Sequence, residues 1–322
     1  MAEDADETGR RARTPRQRLV RAAKTLLVVA TLALAGRVVA HQWDGVRDGL
    51  GTLSVGWTSL SAAFALAALV AIALSWREVL ADLGSALPLP TALRIFLLAQ
   101  LGKYLPGGVF ALAGQMEVAS RYGVSRARAA AASVVTLWLG IAMGGLVGLG
   151  ALALLPRDLA GPFLPALLLV PLAGLLHPRP LNALINRGLA LLRRPPLEHS
   201  LSVFGTGRAL CWSAASWLLL GLHVWALCRD VGATQPVLAL AITGFAAAWL
   251  IGFVVVIAPA GFGVREAVLV AVLGGSLAAG SSAAIVVAGV SRLLLVVCDI
   301  VLAGLGLLLG SSPERHRREA RS

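Results

Sequence analysis

Charge is what this chain has least of. Only 14% of its 322 residues are Asp, Glu, Lys or Arg, where a soluble domain carries about 25%. No polar stretch is long enough to build a separate soluble domain. Reactive residue types are equally thin. The three cysteines, Cys211, Cys228 and Cys298, lie in or at the ends of apolar runs. They have neither metal-site spacing nor the setting of a disulfide framework, and read as small helix-packing residues. Of the five histidines, His41, His177, His199 and His316 sit at segment ends or in polar regions, and His223 stands alone in an apolar run. There is no Gly-x-x-x-x-Gly-Lys-Ser/Thr loop, which argues against an ATP-driven pump in this chain. There is no His-Glu-x-x-His and no paired-cysteine motif, so neither a metal nor another cofactor is expected. Acidic residues do not cluster either. A transferase using a polyprenyl phosphate would want acids in its first outer loop, and that loop offers only Asp44 and Asp48.

Apolar residues fill the space that charge leaves. They make up 58% of the chain, mean hydropathy is +0.82, and runs of about 20 apolar residues recur along its length, the mark of membrane-crossing helices. The fold class read from this is all-α, a polytopic integral membrane helix bundle. The net charge of +12 has a topological explanation. Basic residues gather in the N-terminal tail (Arg10, Arg11, Arg13, Arg16, Arg18, Arg21, Lys24), in the C-terminal tail (Arg315, Arg317, Arg318, Arg321) and between apolar runs. Such segments stay on the cytoplasmic side and meet anionic lipid headgroups. No nucleic acid is needed to account for them.

Taken in order, residues 1–18 read as a disordered basic cytoplasmic tail, 19–310 as the transmembrane domain, and 311–322 as a second basic cytoplasmic tail. Within the domain, spans are expected at 19–40, 57–76, 129–155, 163–177, 209–228, 236–257 and 283–309. The first is taken as an uncleaved helix rather than a secretory signal. Residues 178–208, with four prolines and several arginines, read as the one internal linker. Gly140, Gly144 and Gly148 recur every fourth residue, a spacing that lets helices approach closely in lipid. Segment 264–278 either crosses or re-enters. Counting from a cytoplasmic N-terminus gives seven or eight crossings, and the basic C-terminal tail, which favours an even number, selects eight.

Two interruptions stand out in this apolar background. The first is Leu101-Gly102-Lys103-Tyr104-Leu105-Pro106-Gly107-Gly108, between a short helix at 88–101 and a return at 109–120. The second is Ala258-Pro259-Ala260-Gly261-Phe262-Gly263-Val264-Arg265-Glu266. Non-helical backbone in a bilayer must be buried in protein or line a wet cavity. Short hydrophobic segments broken by Gly and Pro at matching places in two halves mark a transporter's binding site. One or two re-entrant or broken helices are therefore expected, with an inverted repeat as the relation the two breaks raise.

Charge lies beside both breaks. Lys103 and Arg265 are cations next to helix starts, where free N–H groups and a positive dipole end suit an anion such as a lipid phosphate. Against this stands plain snorkelling to the interface. Arg292 lies well inside the last apolar run, where a charge costs at least ~2.5 kcal/mol. Asp299 follows seven residues on, two turns away on the same face, and is its candidate partner. That pair serves either packing or substrate contact. Glu266 is expected to contact another segment rather than neutralise Arg265. Glu117 and Gln115 are candidates to answer Arg265 or Arg292. Arg94 is read as an interfacial anchor, and Trp138 and Trp249 as core or interface aromatics. The candidate substrate-binding set is Lys103, Tyr104, Pro106, Gly107, Gly108, Glu117, Pro259, Gly261, Gly263, Arg265, Glu266, Arg292 and Asp299.

Three stretches carry a resemblance: Lys103-Tyr104-Leu105-Pro106-Gly107-Gly108, then Tyr122-Gly123-Val124-Ser125-Arg126 before a small-residue helix, and Pro259 through Glu266. Together they resemble the lysylphosphatidylglycerol synthase transmembrane family, also described as flippase-like, over nearly the whole chain. The resemblance implies an all-helical inner-membrane domain with re-entrant helices and movement of an aminoacylated phospholipid between leaflets. The best-understood members carry a soluble aminoacyl-transferase domain after the membrane part. Here the chain ends at Ser322, shortly past its last span, so the synthase activity is not expected in it. The expectation is translocation of a phospholipid or polyprenyl-linked lipid across the cytoplasmic membrane, by a transporter rather than an enzyme. The rivals are a membrane-embedded transferase acting on a lipid carrier and a non-catalytic scaffold. The expected partner is a membrane lipid with an anionic headgroup or polyprenyl phosphate, beside a homo-oligomer or a partner synthase or transferase.

Overall fold

The computed structural model describes Arg47 and residues 50–51, 53–104, 110–153, 176–233, 237–254, 263–277 and 280–308. The expected span at 19–40, most of that at 163–177, both tails and the centres of both breaks lie outside these residues. So do Pro106, Gly107, Gly108, Pro259 and Gly261.

Among the described residues the protein has nine α-helices and no strand. Five are long and apolar enough to cross a membrane: α1 (Val55–Asp82), α4 (Arg126–Leu152), α6 (Val203–Asp230), α7 (Val237–Val254) and α9 (Gly280–Leu308). This is the polytopic helical architecture that the apolar runs imply. Three of these helices begin where a serine precedes an apolar run. Ser54, Ser125 and Ser202 each accept a hydrogen bond from the backbone N–H three residues on, supplying one of the partners that a helix start lacks.

Helices α1 and α6 run antiparallel and are tied at both ends by the same device. Asp82, the last residue of α1, accepts from the Ser202 N–H at 2.6 Å and the Ser202 hydroxyl at 2.7 Å. Asp230, the last residue of α6, accepts from the Ser54 N–H at 2.9 Å and the Thr58 hydroxyl at 3.1 Å. Each helix thus ends on a carboxylate that receives the N-cap of the other. Lipid supplies no hydrophobic force between helices, so packing and such hydrogen bonds hold the pair. The α4 glycines form the next seam. The Gly140 carbonyl accepts from Trp217 Nε1 at 2.8 Å, and a Cβ on Gly148 would stand 3.1 Å from the Ala246 Cβ of α7.

The remaining helices are α2 (Leu89–Gln100), α3 (Phe110–Ser120), α5 (Pro178–Leu191) and α8 (Val264–Leu273). With 12, 11 and 10 residues, α2, α3 and α8 rise about 15–18 Å each, half of a ~30 Å hydrocarbon core. The first break is the expected pair of half-helices. Helix α2 continues into a 3-10 turn, Leu101–Tyr104, and α3 packs back against it. A Cβ on Gly102 would come within 2.7 Å of the Ala111 backbone N, and one on Gly114 within 3.4 Å of Ala99 Cα. The crossing taken for 264–278 is not made by α8, which is too short to span. In both halves an approach helix packs on a short return, and the return packs on a long following helix: α2, α3, α4 and then α7, α8, α9. The halves differ in their approach, since α7 is long enough to cross and α2 is not.

The linker expected at 178–208 is a correction. Its first half forms the amphipathic helix α5, because His177 caps the start and Pro178 and Pro180 fall in the first turn, where proline is tolerated. Leu181 and Leu189 are buried, while Leu184 and Leu191 are exposed beside Arg179 and Arg187. Asn182 pins the segment that follows α5 by accepting from the Leu201 N–H at 2.8 Å and donating to the Leu201 carbonyl at 2.9 Å.

Candidate functional site

A small cleft, open to one side, lies between α7, α8 and α9 beside the second break. Its polar lining is Arg265 and Glu266 from α8 and Ser291 and Arg292 from α9; Phe245 and Trp249 from α7 form its aromatic wall. Gly263 starts α8 with φ at 82°, a conformation that side chains rarely adopt. Glu266, in the first turn, accepts from the Gly263 N–H at 2.6 Å. Its other oxygen lies 3.5 Å from Arg292 Nε. One carboxylate therefore closes the start of α8 and holds α8 to α9, as the contact expected of Glu266 with another segment required.

Arg265 turns the other way. Its guanidinium lies over the Trp249 ring, 5.2 Å from the centroid, and its stem crosses Gly252, one turn on from Trp249, where a Cβ would come within 2.5 Å of Arg265 Cγ. Trp249 is itself held between Phe253, stacked at 5.4 Å, and Trp217, edge-on at 5.4 Å. The Arg265 Nε is buried with no hydrogen-bond partner among the described residues. A buried donor without a partner costs on the order of 1–3 kcal/mol. An anion in the cleft would supply one.

The first break reaches the same helix at another level. Asp299, 4% exposed, accepts from Lys103 Nζ at 2.7 Å and from the Tyr104 hydroxyl at 2.5 Å. The Lys103 ammonium also lies 5.4 Å from the Tyr104 ring centroid. Asp299 and Arg292, expected as partners of each other, thus reach to opposite breaks: Arg292 to Glu266, Asp299 to Lys103 and Tyr104. Helix α9 is the bar between the two. Of the thirteen candidate residues, the structure gathers Lys103, Tyr104, Gly263, Arg265, Glu266, Arg292 and Asp299 along α9 and the segments packed on it. Glu117 is not among them. It pairs with Arg126 at 2.7 Å and Arg121 at 3.6 Å on an exposed surface. Gln115 is buried and accepts from Ser133, whose oxygen in turn accepts from Trp76 Nε1 at 3.2 Å. Arg94 donates to the Leu307 carbonyl at 2.9 Å, at the end of α9.

Two participants were missed. Trp249, read as a core or interface aromatic, is the platform under Arg265; its signal was Gly252 three residues on, which clears the path for a long side chain. Ser291 was hidden by its size. It lines the cleft and hydrogen-bonds His223 Nε2 at 2.8 Å, and nothing in the sequence pairs those two helices.

Among the described residues, five helices long and apolar enough to cross a membrane, half-helices at two breaks and a charged cleft beside the second define a multi-pass helical membrane protein built around interrupted helices. Residues 21–303 match the family described as the lysylphosphatidylglycerol synthase TM region, and the chain belongs to that family. Membership ties the protein to lipid metabolism or lipid flipping. No curated protein matches it.

Proposed function

We propose that the protein translocates a phospholipid or a polyprenyl-linked lipid between membrane leaflets, holding its phosphate in the cleft of Arg265 and Arg292. The observation that carries this reading is the half-buried Arg265, its guanidinium set on Trp249 and its enclosed Nε without a hydrogen-bond partner among the described residues. Charge points the same way. Among the described residues the three cations Lys103, Arg265 and Arg292 stand with two acids, Glu266 and Asp299, an excess of one positive charge. Buried charge is tolerated where it is paired, and a lipid phosphate would complete the pairing. Helices too short to cross, packed against long ones, fit a site where a polar headgroup must be sheltered from lipid at membrane depth. The basic tails and linking segments support a cytoplasmic-membrane location with both termini inside.

The test is translocation of fluorescent phosphatidylglycerol in proteoliposomes by Arg265→Ala and Arg265→Lys. Losing a charge-assisted hydrogen bond worth about 1.5–3 kcal/mol should slow transport roughly tenfold or more in Arg265→Ala. Arg265→Lys should restore part of it. Wild-type rates in folded Arg265→Ala would remove the cleft as the headgroup site.

A further inference from the structure

His223 sits within the membrane-crossing part of α6 and is completely enclosed, at 0% exposure. It joins three helices. Its Nδ1 lies 2.7 Å from Ser61 Oγ and 3.1 Å from the Ser61 carbonyl oxygen on α1, and its Nε2 lies 2.8 Å from Ser291 Oγ on α9. The Ser61 hydroxyl donates to the His223 carbonyl at 2.9 Å. These partners assign the ring's proton. A carbonyl only accepts and the Ser61 hydroxyl has spent its proton, so Nδ1 carries the hydrogen. Nε2 then accepts, and the Ser291 hydroxyl donates to it.

A second proton on the ring can therefore be placed only at Nε2, and Ser291 stands there. Ser291 also lines the cleft beside Arg265, Glu266 and Arg292. A hydroxyl is donor and acceptor at once. Ser291 can pass its proton to Nε2 and take another from the cleft, so the exchange leaves Ser291 unchanged and His223 with one added positive charge.

Among the described residues no acid bonds the ring. On α6 itself the charged groups are Arg208 near the start and Arg229 and Asp230 at the end, with Asp230 held by Ser54 and Thr58; Cys211 and Cys228 lie between. On α1 they are Arg77, Glu78 and Asp82 in the last turns, with Glu78 paired to Arg77 and Arg208. On α4 they are Arg126 and Arg128 in the first turn, and α7 has none. On α9 they are Arg292 and Asp299, the latter engaged by Lys103 and Tyr104, with Cys298 beside it. A protonated His223 would thus add to the positive excess of the cleft without a carboxylate of its own.

We propose that His223 is a proton-binding site coupled through Ser291 to anion binding in the Arg265–Arg292 cleft, so that a lipid phosphate is taken up together with a proton. This rests on reading the cleft as the headgroup site. Coupling is reciprocal: the anion favours the proton and the proton favours the anion.

The experiment is calorimetric titration of the purified protein with dihexanoyl phosphatidylglycerol between roughly pH 4 and 8, a window wide enough to include protonation of an enclosed histidine. Running it in two buffers of different ionisation enthalpy counts the protons taken up. In wild type, binding should tighten as pH falls, by at most about tenfold per pH unit for one proton, with proton uptake on binding. His223→Gln and Ser291→Ala should bind without proton uptake and without that pH dependence. Wild-type binding with no proton uptake overturns the coupling and leaves the headgroup site standing, as does uptake that survives in both variants. No binding at any pH overturns the headgroup reading and the coupling with it. If neither variant folds, the wild-type proton count decides.

Discussion

The Lys103 ammonium stands 2.7 Å from a carboxylate oxygen of Asp299, which joins the first helix break to the last membrane-crossing helix. Asp299 is nearly enclosed, and the Tyr104 hydroxyl shares the same oxygen at 2.5 Å. Breaking such a pair leaves a charge without its partner, which costs more than the pair contributed. Asp299→Asn and Lys103→Met should each destabilise the protein by about 3 kcal/mol. The double variant should recover much of the loss. Thermal unfolding in one detergent measures all three, and additive losses in the double variant would mean that the two residues act separately.

Much of the fold was legible before any coordinates. Apolar length located the five long helices, and the Pro-Gly runs located the half-helices, because both signals are local. The order of the acid–base pairs was not legible. Arg292 and Asp299 share a face of one helix, which made them natural partners by spacing. Each finds a closer partner across a helix contact, and such contacts leave no trace in spacing. Glu117 was misplaced for the opposite reason, since its basic neighbours Arg121 and Arg126 lie close to it in sequence and capture it.

Gly252 tests the cleft without touching a charge. A Cβ there would come within 2.5 Å of Arg265 Cγ, and that atom is too close to the backbone to swing clear. Gly252→Ala should lift the guanidinium off Trp249, forfeiting a cation–π contact worth about 0.5–2 kcal/mol. Lipid transport should fall severalfold, and thermal stability should drop by an amount comparable to that contact. An unchanged transport rate would mean that the Arg265–Trp249 contact does not set the site.

Gly102 tests the first break as a structural element. Its added Cβ would meet backbone atoms of Phe110 and Ala111 at 2.7 Å, and backbone cannot rotate away. Gly102→Ala should destabilise the protein by about 1–3 kcal/mol, the usual effect of overpacking. Since the 3-10 turn also carries Lys103 and Tyr104, the Asp299 pairing should weaken with it. Disulfide trapping between cysteines introduced on α2 and α3 would report the separation; equal trapping in both proteins would count against a close approach here.

Glu266 separates binding from movement. It closes the start of α8 through the Gly263 N–H and faces Arg292 with its other oxygen. Glu266→Gln keeps an acceptor for that N–H and so should preserve the helix start. It removes one negative charge, which raises the positive excess of the group from one to two. An anionic headgroup should then bind severalfold tighter, since opposite charges attract strongly where water is scarce. Release should slow by the same attraction. Titration with short-chain phosphatidylglycerol should show the higher affinity, and proteoliposomes should show slower transport. A variant that bound the lipid more weakly would mean that Glu266 contacts the headgroup itself rather than restraining the cations around it.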